Sequence, residues 1–189
     1  MKFKSPMQAG MFRITFVSFL CMVAFFVINY FINDNANNNV IFTLGVTSLT
    51  IFCHFGIRLF LGEWLLIKLI PAQINYKRKW FRQNKFEQRV YKLLKVKKWK
   101  GNMPTYSPDE FSTEKNSWEQ IVSATCKSEI IHEVNMVVSF VPLLFTFVFG
   151  SFIAFLITSI LGACFDLVFV IMQRYNRPRL IRMVGRKNK

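Results

Sequence analysis

Residues 134–172 decide what class of fold this chain can adopt. They contain no Lys, Arg, Glu or His, and Asp166 is their single carboxylate. As one helix the run would extend about 58 Å, at about 1.5 Å per residue. The hydrocarbon layer of a bilayer is about 30 Å thick. Two spans joined by a tight turn use that length, and Gly150-Ser151 stands near its middle. The alternative is one long helix, tilted or kinked at Pro142.

Two earlier runs add to this pattern. Ile14 to Ile32 is flanked by Lys2, Lys4 and Arg13. It is longer than the apolar region of a signal peptide, and no A-x-A site follows, so it reads as a retained span. The linker 33–39 is polar and lacks Lys and Arg. A second run starts at Val40, reaches about Ile57, and continues less regularly through Ile70 to Pro71. The expectation is an all-α, multi-span membrane protein with about four transmembrane helices and cytoplasmic interfacial helices. Its parts are a two-span hairpin over 1–70, a basic interfacial segment over 71–133, and a second two-span hairpin with a basic tail over 134–189.

Charge sets the orientation. The chain start, residues 77–100 and the tail 174–189 are rich in Lys and Arg, whereas the two opposite loops have none. The positive-inside rule then puts both termini and the basic segment in the cytoplasm of a multi-pass cell-membrane protein. The net charge of +15 flanks apolar runs in a chain that is 52% apolar. Anionic membrane lipid is therefore the expected partner, and nucleic acid is not. Cys21, Cys53 and Cys164 lie in apolar runs, and only His54 and His132 could join them or Cys126. No zinc or other metal site and no cofactor is expected.

Residues 77–100 interleave Trp80, Phe81, Phe86, Tyr91 and Trp99 with basic side chains, as an interfacial helix does. Gly101, Pro104 and Pro108 then break the chain into a loop. The next helix is expected over 113–132, capped by Thr113. At 100° per residue Trp118, Ile121, Val122, Thr125, Glu129 and His132 share one face. Glu129 and His132 are three apart, close enough to hydrogen-bond on a helix. They form either an interfacial ion pair or a general base oriented by a carboxylate. Asp166 near the end of the fourth span either faces a functional interior or pairs with an arginine such as Arg58.

The last span ends in Gln173-Arg174-Tyr175-Asn176-Arg177-Pro178-Arg179-Leu180. Arginines where a span surfaces can hold anions. A span pair leaving at 134 and returning at 172 brings His132 and Arg174 to one membrane face.

Lys98-Trp99-Lys100, then Thr125-x-Lys127-x-Glu129-x-x-His132, then the octapeptide, resemble the glycosyl-4,4'-diaponeurosporenoate acyltransferase family over roughly residues 71–184. These are small bacterial membrane proteins whose name-giving members esterify a sugar hydroxyl of a glycosylated carotenoid with a fatty acyl chain. Ala124, Glu133 and Asp166 depart from the residues usual there. The resemblance implies an O-acyltransferase acting on a glycosylated carotenoid or other glycolipid, with an acyl donor as second substrate. We assign His132 as base and Glu129 as the group fixing its tautomer. Arg174, Asn176 and Arg177 would donate to the oxyanion or to a phosphate of the acyl carrier. Arg179, Trp99 and Lys100 would hold headgroups, and Asp166 would join substrate binding. No Ser or Cys nucleophile stands beside a base; Cys126 lies just off the Glu129 face. The competing class is a non-enzymatic membrane protein that binds anionic lipid or a partner subunit.

Overall fold

The computed structural model describes residues 3, 5–32, 39–71 and 73–187. The polar linker 33–39 lies outside them apart from Asn39, as do Lys2 and Lys4.

Helix α1 (Pro6–Ile32) has Pro at its first position, where no amide donor is needed. Ser5 caps it, its hydroxyl accepting from the Gln8 amide at 3.1 Å. Helix α2 (Asn39–Leu59) runs back along α1. Ser18 on α1 and Ser48 on α2 are buried, and Gly45 lies against the Phe26 ring. Small residues of this kind let helix backbones approach closely in a bilayer. Beyond α2 the helix widens to a π-helix over Phe60–Leu65 and ends in the single turn α3 (Leu66–Leu69).

The basic segment is not one helix. A 3₁₀ turn at Lys79–Phe81 precedes α4 (Lys85–Leu93), which Asn84 caps by accepting from the Glu87 amide at 2.7 Å. Lys95 then turns left-handed at φ +50°, and α5 (Val96–Trp99) follows. That reversal folds Val96 and Tyr91 inward and leaves Trp80, Phe86 and Leu93 exposed.

Helix α6 (Trp118–Val138) starts later than Thr113. Ser117 and Gln120 form a reciprocal capping box that satisfies two end amides, which Thr113 with Asn116 cannot do. No breaker separates His132 from the apolar residues after it, so the helix expected before the third span and that span are one element. Pro142 does break the helix, into a 3₁₀ turn over Val141–Phe145 and the short α7 (Thr146–Phe149). The chain reverses at Gly150 and Ser151, with φ +68° and +56°. The single kinked helix is therefore not formed. Helix α8 (Phe152–Lys187) continues through Pro178, so the basic stretch after residue 173 is helix rather than a loose tail.

Among the described residues there is no strand, and four helices are long and apolar enough to cross a membrane. α6 packs along α8 as α1 packs along α2. Phe26, Phe42 and Phe149 join the two hairpins at one end. The Ser5 hydroxyl donates to the Tyr106 carbonyl at the other. The exterior is apolar, with Phe147, Val148, Ile153, Ile157 and Leu161 exposed. Arg58, Glu129, Asp166 and Arg177 are buried inside. That inversion suits a hydrocarbon surround, where charged groups face the bundle and are paired.

Candidate active site

The α6–α8 seam is a ladder of polar contacts. Seen from the end of the bundle that holds Ser5, it starts with Thr125 and Arg177 and runs inward to Ser139 and Gly162. Stepping forward on α6 matches stepping back on α8, as antiparallel packing requires.

At the outer level Glu129 is fully buried, with 0% exposure. Its Oε1 accepts from Arg174 Nη1 at 2.6 Å, and its Oε2 accepts from Arg177 Nη2. Arg177, 1% exposed, also donates to the Thr125 hydroxyl and to the Thr125 and Phe81 carbonyls. Arg174 reaches across to Glu87 Oε1 at 3.0 Å and so pins α4 to the seam. Two carboxylates and two guanidiniums balance in charge, and Thr125 and the Phe81 carbonyl take further guanidinium donors. This is the condition under which buried ions are tolerated.

About 12 Å further along α8, eight residues on, the second level centres on Asp166. His132 Nδ1 lies 2.8 Å from Asp166 Oδ1. Arg58 Nε donates to Asp166 Oδ2 at 2.9 Å. Arg58 is itself anchored on the Ser139 hydroxyl at 2.7 Å, the Gly162 carbonyl at 3.0 Å and the His54 carbonyl at 2.6 Å. The His132 ring stacks on Phe169, with centroids 4.7 Å apart. When Nδ1–H donates to the carboxylate, the lone pair is fixed on Nε2. A cavity of about 120 Å³ opens beside this group, lined by His132, Asp166, Arg58 and Asn135 with Ile131, Phe165 and Phe169. The Asn135 amide oxygen is buried with no hydrogen-bond partner among the described residues.

The carboxylate on His132 is thus Asp166 rather than Glu129. Glu129 shares a helical turn with His132, but its side chain crosses the seam to the two arginines. Both readings of Asp166 meet in one residue: it pairs with Arg58 and it faces the cavity. Arg174 and Arg177 are occupied by Glu87 and Glu129. Asn176, Arg179 and Lys100 line a second cavity, of about 410 Å³. Trp99 lines neither cavity; its indole donates to the Leu94 carbonyl at 3.0 Å and closes the turn between α4 and α5. Cys126 is buried and also lines neither. Sequence reasoning missed Asn135. Its signal was a three-residue step from His132 along the same helix face.

The family model described as glycosyl-4,4'-diaponeurosporenoate acyltransferase matches residues 77–186. The chain belongs to this acyltransferase family. No curated protein and no solved structure matches it. The part shared with the acyltransferase family holds His132, Asp166, Glu129 and the arginine-rich octapeptide. Arg58, which completes the Asp166 pair, comes from α2, outside the matched residues. Met7, Met11 and Gly62, also outside the match, supply further cavity wall.

Proposed function

We propose that this protein transfers a fatty acyl chain to a sugar hydroxyl of a glycosylated carotenoid or similar glycolipid. It works at the inner face of the cell membrane with both termini in the cytoplasm. The observation that carries the reading is the Asp166–His132 pair at the wall of a largely apolar cavity, inside the family-matched segment.

His132 Nε2 takes the proton of the sugar hydroxyl as its oxygen attacks the acyl carbonyl. Asp166 holds the tautomer and offsets the positive charge that forms on the imidazole, as a general base needs for its typical gain of about 10²–10⁴. Arg58 Nε donates to the other carboxylate oxygen of Asp166 and holds that side chain in place. The Asn135 amide, reoriented with its NH₂ toward the cavity, donates to the oxyanion. One such donor is worth about 10²–10³ in rate. The imidazolium then returns its proton to the leaving group. No acyl-enzyme is required. Glu129, Arg174 and Arg177 act as positioning residues that fix α4 and α6 on α8. Exposed Phe86, Trp80 and Leu93 on the basic segment rest in the headgroup layer with anionic lipid around them.

The test is acyl transfer in membranes that hold matched amounts of wild type and His132→Ala, read as acylated pigment or glycolipid. Product from wild type and none from the variant is expected. Undiminished product from the variant removes the mechanism. Absence of product from wild type with its acceptor and donor supplied would favour the non-enzymatic lipid-binding reading.

A further inference from the structure

The second cavity borders the first, because Thr105, Phe111, Met172 and Gln173 line both. Its walls mix apolar side chains, including Met103, Ile121, Leu180 and Met183, with polar ones, among them Lys100 and Arg179. Among the described residues no carboxylate lines it. Among the described residues none pairs with Lys100 or Arg179 either. That sets these two cations apart from Arg58, Arg174 and Arg177, each of which holds an acid. Lys100 is instead placed by neutral groups: it donates to Asn176 Oδ1 and lies 5.0 Å from the Tyr175 ring centre. Burial first, then Arg179 and Lys97, press its ammonium below the ordinary lysine range. A bound anion relieves that strain and gains charge-assisted hydrogen bonds.

The spacing selects the kind of anion. Asn176 and Arg179 stand ten and thirteen residues beyond Asp166 on one helix, about 15–20 Å along its axis. The phosphate of a glycerophospholipid is about five bonds from its ester carbonyl, a reach of about 6 Å at ordinary bond lengths. That falls well short. A phosphopantetheine thioester has about fourteen bonds between acyl carbon and phosphorus, about 17 Å when extended.

We propose that Lys100, Asn176 and Arg179 bind the phosphate of a phosphopantetheine thioester, the acyl donor, whose arm passes Gln173 to deliver the acyl carbon to His132. This rests on the acyltransferase reading. In the transfer the acyl carbon–sulfur bond breaks and an ester carbon–oxygen bond forms. The hydroxyl proton moves through His132 to the thiolate, which leaves as a thiol. Coenzyme A and an acyl carrier protein both present this group.

The test measures binding without turnover, on the full chain in phosphatidylcholine nanodiscs. Soluble butanoyl-phosphopantetheine is compared with butanoyl-pantetheine, which lacks the phosphate. The phosphorylated probe is expected to bind tighter by about tenfold or more, the worth of one charged hydrogen bond. Lys100→Ala and Arg179→Ala lose that preference, Lys100→Arg keeps it, and His132→Ala keeps it. Equal binding of the two probes by wild type overturns the proposal. So does equal displacement by glycerophosphoglycerol, a free lipid headgroup. Butanoyl-coenzyme A and butanoyl-carrier protein then separate the two sources, and binding of neither also overturns it. If the phosphate preference holds while His132→Ala still acylates, the base assignment fails and the donor site stands.

Discussion

His132 and Asp166 meet across the α6–α8 seam, Nδ1 to Oδ1 at 2.8 Å, and Arg58 closes the far side of the same carboxylate. The three side chains come from α6, α8 and α2. Their charges nearly cancel, which lets them lie at membrane depth, and one imidazole nitrogen is left for the cavity.

Asp166→Asn keeps the shape and removes the anion. Acyl transfer by this variant should fall by about 10² or more, because the general base loses its tautomer control and its charge partner. His132→Ala should fall similarly, and the double variant no further, since the pair acts as a unit. Initial rates at equal protein in membranes measure this. A wild-type rate in Asp166→Asn would remove Asp166 from the reaction.

Arg58 separates structure from chemistry. Arg58→Met leaves the buried Asp166 without its guanidinium partner and with only the His132 ring beside it, a loss of about 3–5 kcal/mol when one member of a buried pair goes. Arg58→Met/Asp166→Leu removes both charges and should recover most of that stability, read as the melting temperature in detergent. It should not recover acyl transfer. Recovery of turnover in the double variant would show that the pair serves only to hold α2 on α8.

Gly162 lies directly against the Arg58 side of this pair. A Cβ there would lie 3.0 Å from Arg58 Nη2 and 3.3 Å from both His54 Nδ1 and Ser139 Oγ. Gly162→Ala must displace the guanidinium or part the helices. A cost of about 1–3 kcal/mol is expected, as for overpacking elsewhere. Gly162→Ala in the Arg58→Met background should cost clearly less, because the crowded group is gone. Equal costs in both backgrounds would place the crowding elsewhere.

Helix length against bilayer thickness made the four spans and the turn at Gly150-Ser151 legible in the sequence, since both are counting arguments along the chain. The arrival of His132 and the octapeptide on one seam followed from that turn. The register between α6 and α8 was not legible. Glu129 and His132 are neighbours along one helix, so a local reading pairs them. Their partners depend on which α8 residue stands opposite, and side-chain packing across the interface sets that. Asn135 was hidden for a related reason: a neutral side chain in an apolar run carries no charge signal. Lys95 was missed because a left-handed lysine has no mark in composition.

Glu129 tests whether the outer level is a clamp. Glu129→Gln leaves Arg174 and Arg177 facing a neutral amide inside the bundle. The expected loss is about 3–5 kcal/mol, with trypsin cutting more readily after Arg82, Lys85 and Arg89 as α4 loosens. Turnover by the fraction that remains folded should be reduced less than in His132→Ala. A fully stable, inactive Glu129→Gln would return Glu129 to the catalytic group.

Tyr91 gives the docking of α4 a pH signature. Its buried ring packs edge-on against Tyr175 at 5.9 Å, and its hydroxyl donates to Glu87 Oε2 at 3.3 Å. Burial first, then the Glu87 charge, push the phenol up to about 12 from the ordinary 10.0. Undocked, Tyr91 releases its proton near that ordinary value; docked, it keeps it. Between the two values the undocked state binds fewer protons, so rising pH favours it. The contribution is complete below about pH 10 and fades as pH climbs toward about 12. Tyr91→Phe has no such proton to lose. Trypsin cleavage of α4 should therefore speed up more steeply with pH in wild type than in Tyr91→Phe over that window, which cancels the common effect of titrating lysines. Parallel pH profiles would mean that Tyr91 already reaches water in the docked state.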